Sequence, residues 1–292
     1  MVSYKRDQNF GKGDNAMYKT IELDTLDSVM QIVTDQEYNI QKRRHRSSFI
    51  YRGLSKDTYR LSTSLQRNCK HLHAELECSI LRNFTKYAIT EDPTLNASVW
   101  KQMILGQHHG LPTRLLDWTY SPLTALHFAT TENNLDKMDK HDCIVWKIDI
   151  TEIHRLLPQK YFDMLDEEKA GIFTVEMLNK IVADTDEYDR DMKNTSMVII
   201  EPPSIDPRII NQYSYFSIIP GGMDDIEAFL DRYTENTVKY VIKKELRWRI
   251  RDMLDQLNIN ERIVYPGLDG LSQWLTRHYY VKDDDEDESA SL

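Results

Sequence analysis

Apolar residues recur at helical spacing in several stretches of the chain. This period predicts helices over residues 25–33, 73–87, 97–107, 122–130, 224–232, 244–257 and 271–278. The helix at 122–130 has the best-defined start, because Ser121 can cap it and Pro122 suits the first helical position.

Runs rich in β-branched and aromatic residues predict strands between these helices. The predicted strands cover residues 48–54, 142–150, 198–200, 213–219, 240–242 and 263–265. Helices and strands follow one another without a steady βαβ alternation. The sequence therefore predicts an α+β fold, in which helices flank a mixed, mostly antiparallel sheet.

The chain divides into three predicted parts. We expect residues 1–46 to form an N-terminal arm, mobile over 1–20, with a helix at 25–33, and residues 47–279 to form the main domain. Within that domain, residues 151–195 are mostly polar and predict a helical insertion. Residues 280–292 contain six consecutive acidic residues, whose mutual repulsion predicts a disordered acidic tail.

The composition is typical of a cytoplasmic protein. The 292-residue chain has a formal net charge of −10, which argues against broad electrostatic attraction to nucleic acid. Its three cysteines are an odd number, too few for a disulfide framework, and suit a reducing compartment. The N-terminus lacks the apolar core of a secretory signal, and no run of about 18 apolar residues predicts a membrane span.

Polar side chains are concentrated in residues 107–121, directly before a predicted helix. Gly110 and Pro112 interrupt this stretch, so we expect a shaped loop. Two interpretations stay open. In one, Arg114 pairs with Asp117 and neighbouring hydroxyls cap the helix, which gives a polar network that stabilises the fold. In the other, the same groups form a cradle for an anion such as a pyrophosphate at the helix N-terminus.

Arg52 follows an apolar strand and precedes Gly53. An arginine there either pairs with an internal carboxylate or reaches a ligand phosphate as a bidentate fork. Gly53 would allow a close approach of backbone. Ser62, Thr63 and Ser64 could flank the same pocket, although turn capping alone explains these hydroxyls better.

No metal site is predicted. Cys69, His71, His73 and Cys78 lie close together in sequence, but their spacing matches none of the usual structural zinc patterns. The P-loop, dinucleotide-binding, zinc-protease and nucleophile-elbow motifs are absent from the sequence, which disfavours those enzyme classes.

Several motifs together resemble the FRG domain family, named after an (F/Y)-R-G motif that corresponds to Tyr51, Arg52 and Gly53. Residues 109–129 follow the family's central H-G-x-P-T-R-L-L-D-W-T-x-S-P-L-x-A-L-x-F-A block almost letter for letter. Weaker similarities occur at Leu61, Ser64, Arg67, Arg208, Gln212, Phe216 and residues 265–271. The resemblance extends over about residues 48–276 and implies little about activity.

A more distant resemblance is to ADP-ribosyltransferases, whose core begins with an aromatic-Arg-Gly strand, an S-T-S segment and a helix near a serine. The corresponding positions here are residues 51–53, residues 62–64 and Ser121. This resemblance implies a split antiparallel sheet that holds NAD in an extended cleft, where a polar group orients the ribose. The candidates for that group are Asp117, Glu201, Glu261, Asp269 and Gln212.

The second resemblance implies an NAD-dependent ADP-ribosyltransferase, an effector or toxin in bacterial anti-phage defence or toxin–antitoxin conflict. Its acceptor would be a nucleic acid or a protein, and an antitoxin or regulatory protein would be its partner. The catalytic candidates are Arg52, His109, Gln212 and Asp269. The candidates for NAD binding are Tyr51, Arg52, Gly53, Ser64, Thr113, Arg114, Asp117, Thr119 and Ser121. The alternatives are a non-enzymatic binding module and, with less support, a nuclease.

Overall fold

Strands form where β-branched and aromatic residues are concentrated. The computed structural model describes residues 18–40 and 42–282. Its strands are β1 Lys19–Leu23, β2 Tyr38–Asn39, β3 Arg44–His45, β4 Phe49–Leu54, β5 Leu115–Thr119, β6 Cys143–Asp149, β7 Val198–Ile200, β8 Ser214–Ile218 and β9 Val238–Ile242. Seven of these strands form one sheet in the order β1-β9-β6-β4-β5-β8-β7, and β2 pairs with β3. The β1–β9 pair is parallel and the other pairs are antiparallel, which confirms the predicted α+β class and the mostly antiparallel sheet.

Many of the helices begin after a small polar residue that caps their first turn. The helices are α1 Leu26–Thr34, α2 Ser64–Cys69, α3 His73–Ala88, α4 Val99–His108, α5 Pro122–Ala129, α6 Ile150–Arg155, α7 Gln159–Glu167, α8 Val175–Ile181, α9 Thr185–Met192, α10 Pro207–Asn211, α11 Ile226–Tyr233, α12 Arg247–Gln256, α13 Glu261–Val264 and α14 Leu268–His278. Thr25, Thr63 and Ser121 each accept a hydrogen bond from a backbone N–H in the turn that follows them. Among the described residues, none of the helices has the length and apolar character needed to cross a bilayer.

The sheet opens between its two central strands. β4 pairs with β6 along its whole length, and β5 pairs with β8 along its whole length. Between β4 and β5, however, the ladder has a single residue pair, Tyr51 with Thr119. The two strands diverge from that point, so Arg52 and Asp117 face a gap instead of a backbone partner across it.

Helix α5 packs very closely against β4 at Gly53. A Cβ atom added to Gly53 would lie 2.0 Å from the Ala125 carbonyl oxygen and 2.4 Å from the Ala129 nitrogen. Gly53 is therefore required by the approach of a helix backbone, which is a structural explanation for a glycine that the sequence associates with a ligand.

The polar segment at residues 151–195 shares a hydrophobic core with the sheet. Tyr161, Phe173 and Tyr188 are buried in one cluster with Trp100 of α4 and Phe216 of β8. The Tyr188 hydroxyl donates to the Ile218 carbonyl at 2.7 Å and accepts from the Val198 N–H at 3.0 Å. These helices therefore cover one end of the sheet, next to β7 and β8.

Three predictions about local structure are wrong. Residues 107–121, predicted to be a loop, contain the strand Leu115–Thr119. Its leucines and tryptophan are buried on both faces, so the sequence lacks the apolar–polar alternation that indicates a half-exposed strand. Residues 263–265, predicted to be extended, overlap the short helix Glu261–Val264, which is held by tertiary ion pairs of Glu261. Within the predicted mobile arm, β1 begins at Lys19; residues 1–17 and the acidic run at 283–288 lie outside the described part.

Candidate functional site

A cleft of about 930 Å³ lies where β4 and β5 diverge. Its basic lining residues are Arg52, Lys56, Arg60, Arg67 and Arg208. The acidic residues among its described lining are Asp117 and Glu132. Arg60 is paired with Asp225 and Glu227, which lie outside the lining, and the other four basic side chains still outnumber the two acidic ones, so the cleft favours an anionic ligand.

Arg52 is a largely buried basic side chain of the cleft, whereas Arg60, Arg67 and Arg208 are exposed. Arg52 Nη1 donates to the Asp117 carbonyl oxygen at 2.6 Å and lies 3.4 Å from Asp117 Oδ2, while the Arg52 side chain is 16% exposed. Its buried Nε has no hydrogen-bond partner in the described structure. Burial lowers the pKa of Arg52, the Asp117 charge opposes that shift, and the nearby charge of Arg67 lowers the pKa further. An anion between the two guanidinium groups would relieve this unfavourable arrangement.

A chain of hydrogen bonds fixes the carboxylate that faces Arg52. Thr113 Oγ1 donates to Gln107 Oε1 at 2.7 Å, which turns the Gln107 amide nitrogen toward Asp117. That Nε2 atom donates to both carboxylate oxygens of Asp117 at 3.1 Å. Ser64 supports the same turn, because its Oγ accepts from the Thr113 N–H at 3.1 Å. Ser64 and Thr113 therefore hold the wall of the cleft, and neither lines the cleft itself.

Arg114 has a different role from the one predicted. Its Nε donates to Glu77 at 2.7 and 2.9 Å, its Nη2 also donates to Glu77, and its Nη1 donates to Asp189 at 2.7 Å. The predicted pair with Asp117 is wrong, because residues three apart in extended backbone point to opposite faces. Burial opposes the charged form of Arg114, but Glu77 and Asp189 outweigh it and raise its pKa. Arg114 is thus a buried structural cation.

Thr119 and Ser121 connect β5 to helix α5. Thr119 Oγ1 donates to the Gln212 carbonyl at 2.6 Å and accepts from the Ser121 N–H at 3.1 Å. Ser121 Oγ accepts from the Thr124 N–H at 3.2 Å, so it caps the helix and does not line the cleft. Gln212 lines the cleft, and its side-chain nitrogen donates to the Val264 carbonyl at 3.1 Å.

The remaining catalytic candidates lie in two neighbouring cavities. His109 lines a cavity of about 380 Å³ that also contacts Asp117, Arg208 and Gln212. Asp269 lines a cavity of about 940 Å³ and is absent from the lining of the cleft. The structure thus brings together at the cleft Tyr51, Arg52, Gly53, Asp117, Thr119 and Gln212. It places elsewhere Ser64, His109, Thr113, Arg114, Ser121 and Asp269.

Two other candidate carboxylates do not reach the cleft. Glu261 is bonded to Arg251 and Arg277; burial opposes its ionisation, but the hydrogen bonds and charges of these arginines lower its pKa to about 2. Glu201 is exposed at the end of β7 and lines none of the three cavities. Within the described residues, no group of three or more histidine, cysteine or acidic side chains could hold a metal ion.

The comparison with protein families agrees with the central motif. Residues 47–138 match the family model of the FRG domain. The chain contains an FRG domain. The match begins two residues before β4 and ends nine residues beyond α5, so Arg52, Arg67, Gln107, Asp117 and Glu132 all lie inside it. No curated protein and no solved structure matches the chain.

Three side chains of the cleft have no predicted role from sequence. Arg67 lies within the FRG domain, and Arg208 lies beyond the matched residues with its guanidinium 5.0 Å from the centre of the Tyr265 ring. Both occur in the weaker motif similarities, which is the signal that could have identified them. Glu132 lies three residues beyond α5 and belongs to no motif, so only the folded structure connects it with the cleft.

Proposed function

We propose that the cleft of the FRG domain binds NAD and that the protein is an ADP-ribosyltransferase. The supporting observation is the pair of guanidinium groups, Arg52 and Arg67, at the gap between β4 and β5. The pyrophosphate of NAD has two negative charges and several acceptor oxygens, and arginine forks bind such groups well. In this proposal Arg52 and Arg67 hold the pyrophosphate.

The size and walls of the cleft also support a dinucleotide. A volume of about 930 Å³ falls within the usual range for small-molecule and cofactor sites. Tyr59 and Phe128 line it and offer aromatic surface for a base or a nicotinamide ring. The gap in the antiparallel sheet is a further support, since the resemblance to ADP-ribosyltransferases implies a split sheet around NAD.

Asp117 would act on the sugar side of the bound NAD. Gln107 and Arg52 hold its carboxylate in one orientation, so its charge is fixed before the ligand arrives. Release of nicotinamide develops positive charge on the ribose, and a fixed negative group nearby stabilises it. Gln212 also lines the cleft and would contact the ribose hydroxyls.

The biological setting in this proposal follows from the resemblance alone. The protein would act in the bacterial cytoplasm as an effector or toxin in anti-phage defence or toxin–antitoxin conflict, and an antitoxin or regulatory protein would restrain it. Its acceptor would be a macromolecule. Expression of the wild-type chain should then arrest bacterial growth, and expression of the Arg52→Ala variant should not.

The direct test is release of nicotinamide from NAD by the purified full chain. We expect Arg52→Ala to reduce the rate about 100-fold or more, because one preorganised charged contact in an active site is typically worth that much. Arg155→Ala is the matched control, since Arg155 is an exposed arginine on α6 that lines none of the cavities. Equal background rates in all three proteins would contradict the proposal.

A binding module without catalysis is the second candidate. It is favoured by one observation, that the Asp117 carboxylate already accepts from Gln107 and contacts Arg52. A binding module would bind NAD in calorimetry with an affinity that depends on Arg52, and nicotinamide would not be released.

A further inference from the structure

We propose that the 940 Å³ cavity beside the cleft binds the acceptor of ADP-ribose. We also propose that Glu132, which lies at the junction of the cavity and the cleft, is the catalytic base. This inference rests on the proposed NAD-dependent transfer. It adds a second substrate site and assigns the proton transfer to a residue outside every sequence motif.

The two cavities have a common wall. Thr131, Glu132, Asn133 and Arg208 line both of them. Among the described lining residues, Glu132 is the one carboxylate present in both cavities. A transfer reaction requires its two reactants to meet, and this wall is where ligands in the two cavities would come together.

The Glu132 carboxylate is available for chemistry. Its Oε1 accepts from the Asn134 N–H at 3.3 Å, and no ion pair in the described structure involves it. Glu132 lies three residues beyond the end of α5, whose backbone packs directly against Gly53 of β4. A carboxylate without a cationic partner can accept a proton during the reaction.

The other carboxylates near the junction either make hydrogen bonds or ion pairs within the protein or lie away from the common wall. Asp206 caps α10 through the Arg208 N–H at 2.6 Å and contacts His108 at 3.4 Å. Asp117 is held by Gln107, and Glu261 is enclosed by arginines. Asp269 lines the second cavity but does not reach the common wall.

The proposed step balances in atoms and charge. A nucleophilic N–H or O–H of the acceptor attacks the anomeric carbon of the nicotinamide ribose, and a new C–N or C–O bond forms there. The glycosidic C–N bond breaks, and its electron pair leaves with nicotinamide, which becomes neutral. Glu132 takes the acceptor proton and later releases it to water.

The charges of the second cavity favour a cationic acceptor such as a guanidinium or amine side chain of a protein. Arg251 and Arg277 are neutralised by Glu261 and Asp255, so they attract little further negative charge. Of the other charged residues in the lining, Glu132, Asp206 and Asp269 are acidic and Arg208 is basic. With three carboxylates against one arginine, this part of the lining is acidic and would repel a nucleic-acid phosphate chain.

The first experiment compares Glu132→Gln with wild type in nicotinamide release, with water as the acceptor. We expect kcat to fall about 100-fold or more, as for loss of a general base, while calorimetry shows NAD affinity within about twofold of wild type. Glu176→Gln is the control, because Glu176 is an exposed glutamate on α8 outside all cavities. An active wild type and an equally active Glu132→Gln variant would overturn the assignment.

The second experiment tests the acceptor class with agmatine, a small guanidinium compound, and a single-stranded DNA oligonucleotide. We expect agmatine to accelerate nicotinamide release and to become ADP-ribosylated, and Asp269→Asn to raise the agmatine concentration required severalfold. Acceleration by the oligonucleotide instead, or by neither compound, would overturn the acceptor class. If wild type binds NAD without releasing nicotinamide, the transferase proposal itself fails, and this inference fails with it.

Discussion

Two arginines of the FRG domain differ in how completely the fold satisfies them. Arg114 donates from Nε and both terminal nitrogens to Glu77 and Asp189. Arg52 donates from one terminal nitrogen to Asp117, and its buried Nε has no partner in the described structure. A buried guanidinium that donates from all three nitrogens to carboxylates is not available to a ligand, whereas a partly bonded one beside a cleft is.

The comparison also separates stability from function. The ion pairs of Arg114, the residue before β5, connect it to Glu77 on α3 and to Asp189 on α9, so they hold three segments of the chain together. Arg52, in contrast, lies near the like charge of Arg67, which works against folding. Sites that bind ligands commonly retain such unfavourable arrangements at a cost in stability.

The largest expected effect is on the buried pair of Arg114. Glu77→Gln should reduce the free energy of unfolding by about 3–5 kcal/mol, because it leaves a buried guanidinium without its main counter-charge. Glu77 is 2% exposed, so water cannot replace the lost carboxylate. The measurement is urea unfolding followed by circular dichroism.

The matched control for that variant is Asp189→Asn. Asp189 contacts the same guanidinium at 2.7 Å, but its side chain is 30% exposed. Solvent should therefore compensate part of the loss, and the destabilisation should be clearly smaller than for Glu77→Gln. Equal effects of the two substitutions would contradict the view that burial of Glu77 makes this pair critical.

Local sequence patterns predicted most of the fold but not its long-range pairs. The helix at 122–130 was predicted from Ser121 and Pro122, and both have the expected positions. The partners of Arg114 could not be predicted, because Glu77 and Asp189 lie 37 and 75 positions away along the chain. Asp117 was the nearest carboxylate in sequence, but the strand turns it to the opposite face.

The residues of the site could also be predicted only in part, because motifs identify some of them and long-range packing positions the others. Arg52 and Asp117 belong to motifs and do line the cleft. Glu132 has no motif, and its position depends on the packing of α5 against β4, which sequence alone does not specify. Asp269 belongs to a motif, yet α14 directs it to the second cavity.

A third arginine, Arg251, provides an intermediate case and a pH test. Its Nη1 donates to His127 Nδ1 at 2.9 Å, so the His127 ring must be neutral with its proton on the other nitrogen. Burial, with the charge of Arg251 adding to it, lowers the pKa of His127 to about 3. In the unfolded chain the pKa would be about 6.5.

The sign of the expected pH effect follows from those two pKa values. Above about pH 6.5 the His127 ring is neutral in both the folded and the unfolded protein, so it causes no decrease in the free energy of unfolding. As the pH falls toward 3, the unfolded chain binds a proton that folded His127 does not, so stability decreases. The loss at pH 5 should be about 2 kcal/mol.

The measurement for this prediction is the urea midpoint at pH 7 and pH 5. His127→Gln should show a weaker pH dependence than wild type, because it removes one of the titrating groups. Some dependence should remain, since burial also lowers the pKa of His154 to about 4. An unchanged pH dependence in His127→Gln would contradict the neutral, buried state of the ring.

The smallest expected effect on stability is at Arg52 itself. Arg52→Met removes the hydrogen bond to the Asp117 carbonyl and the ion pair with its carboxylate, but it also removes a buried nitrogen that has no partner in the described structure and the repulsion from Arg67. These contributions nearly cancel, so the free energy of unfolding should change by about 1 kcal/mol or less. The same urea assay as for Glu77→Gln measures it. A decrease in the free energy of unfolding as large as that of Glu77→Gln would make Arg52 a second structural cation. That result would agree with the alternative in which these polar residues stabilise the fold and bind no ligand. A small loss together with loss of NAD binding would show that the fold keeps this guanidinium for a ligand.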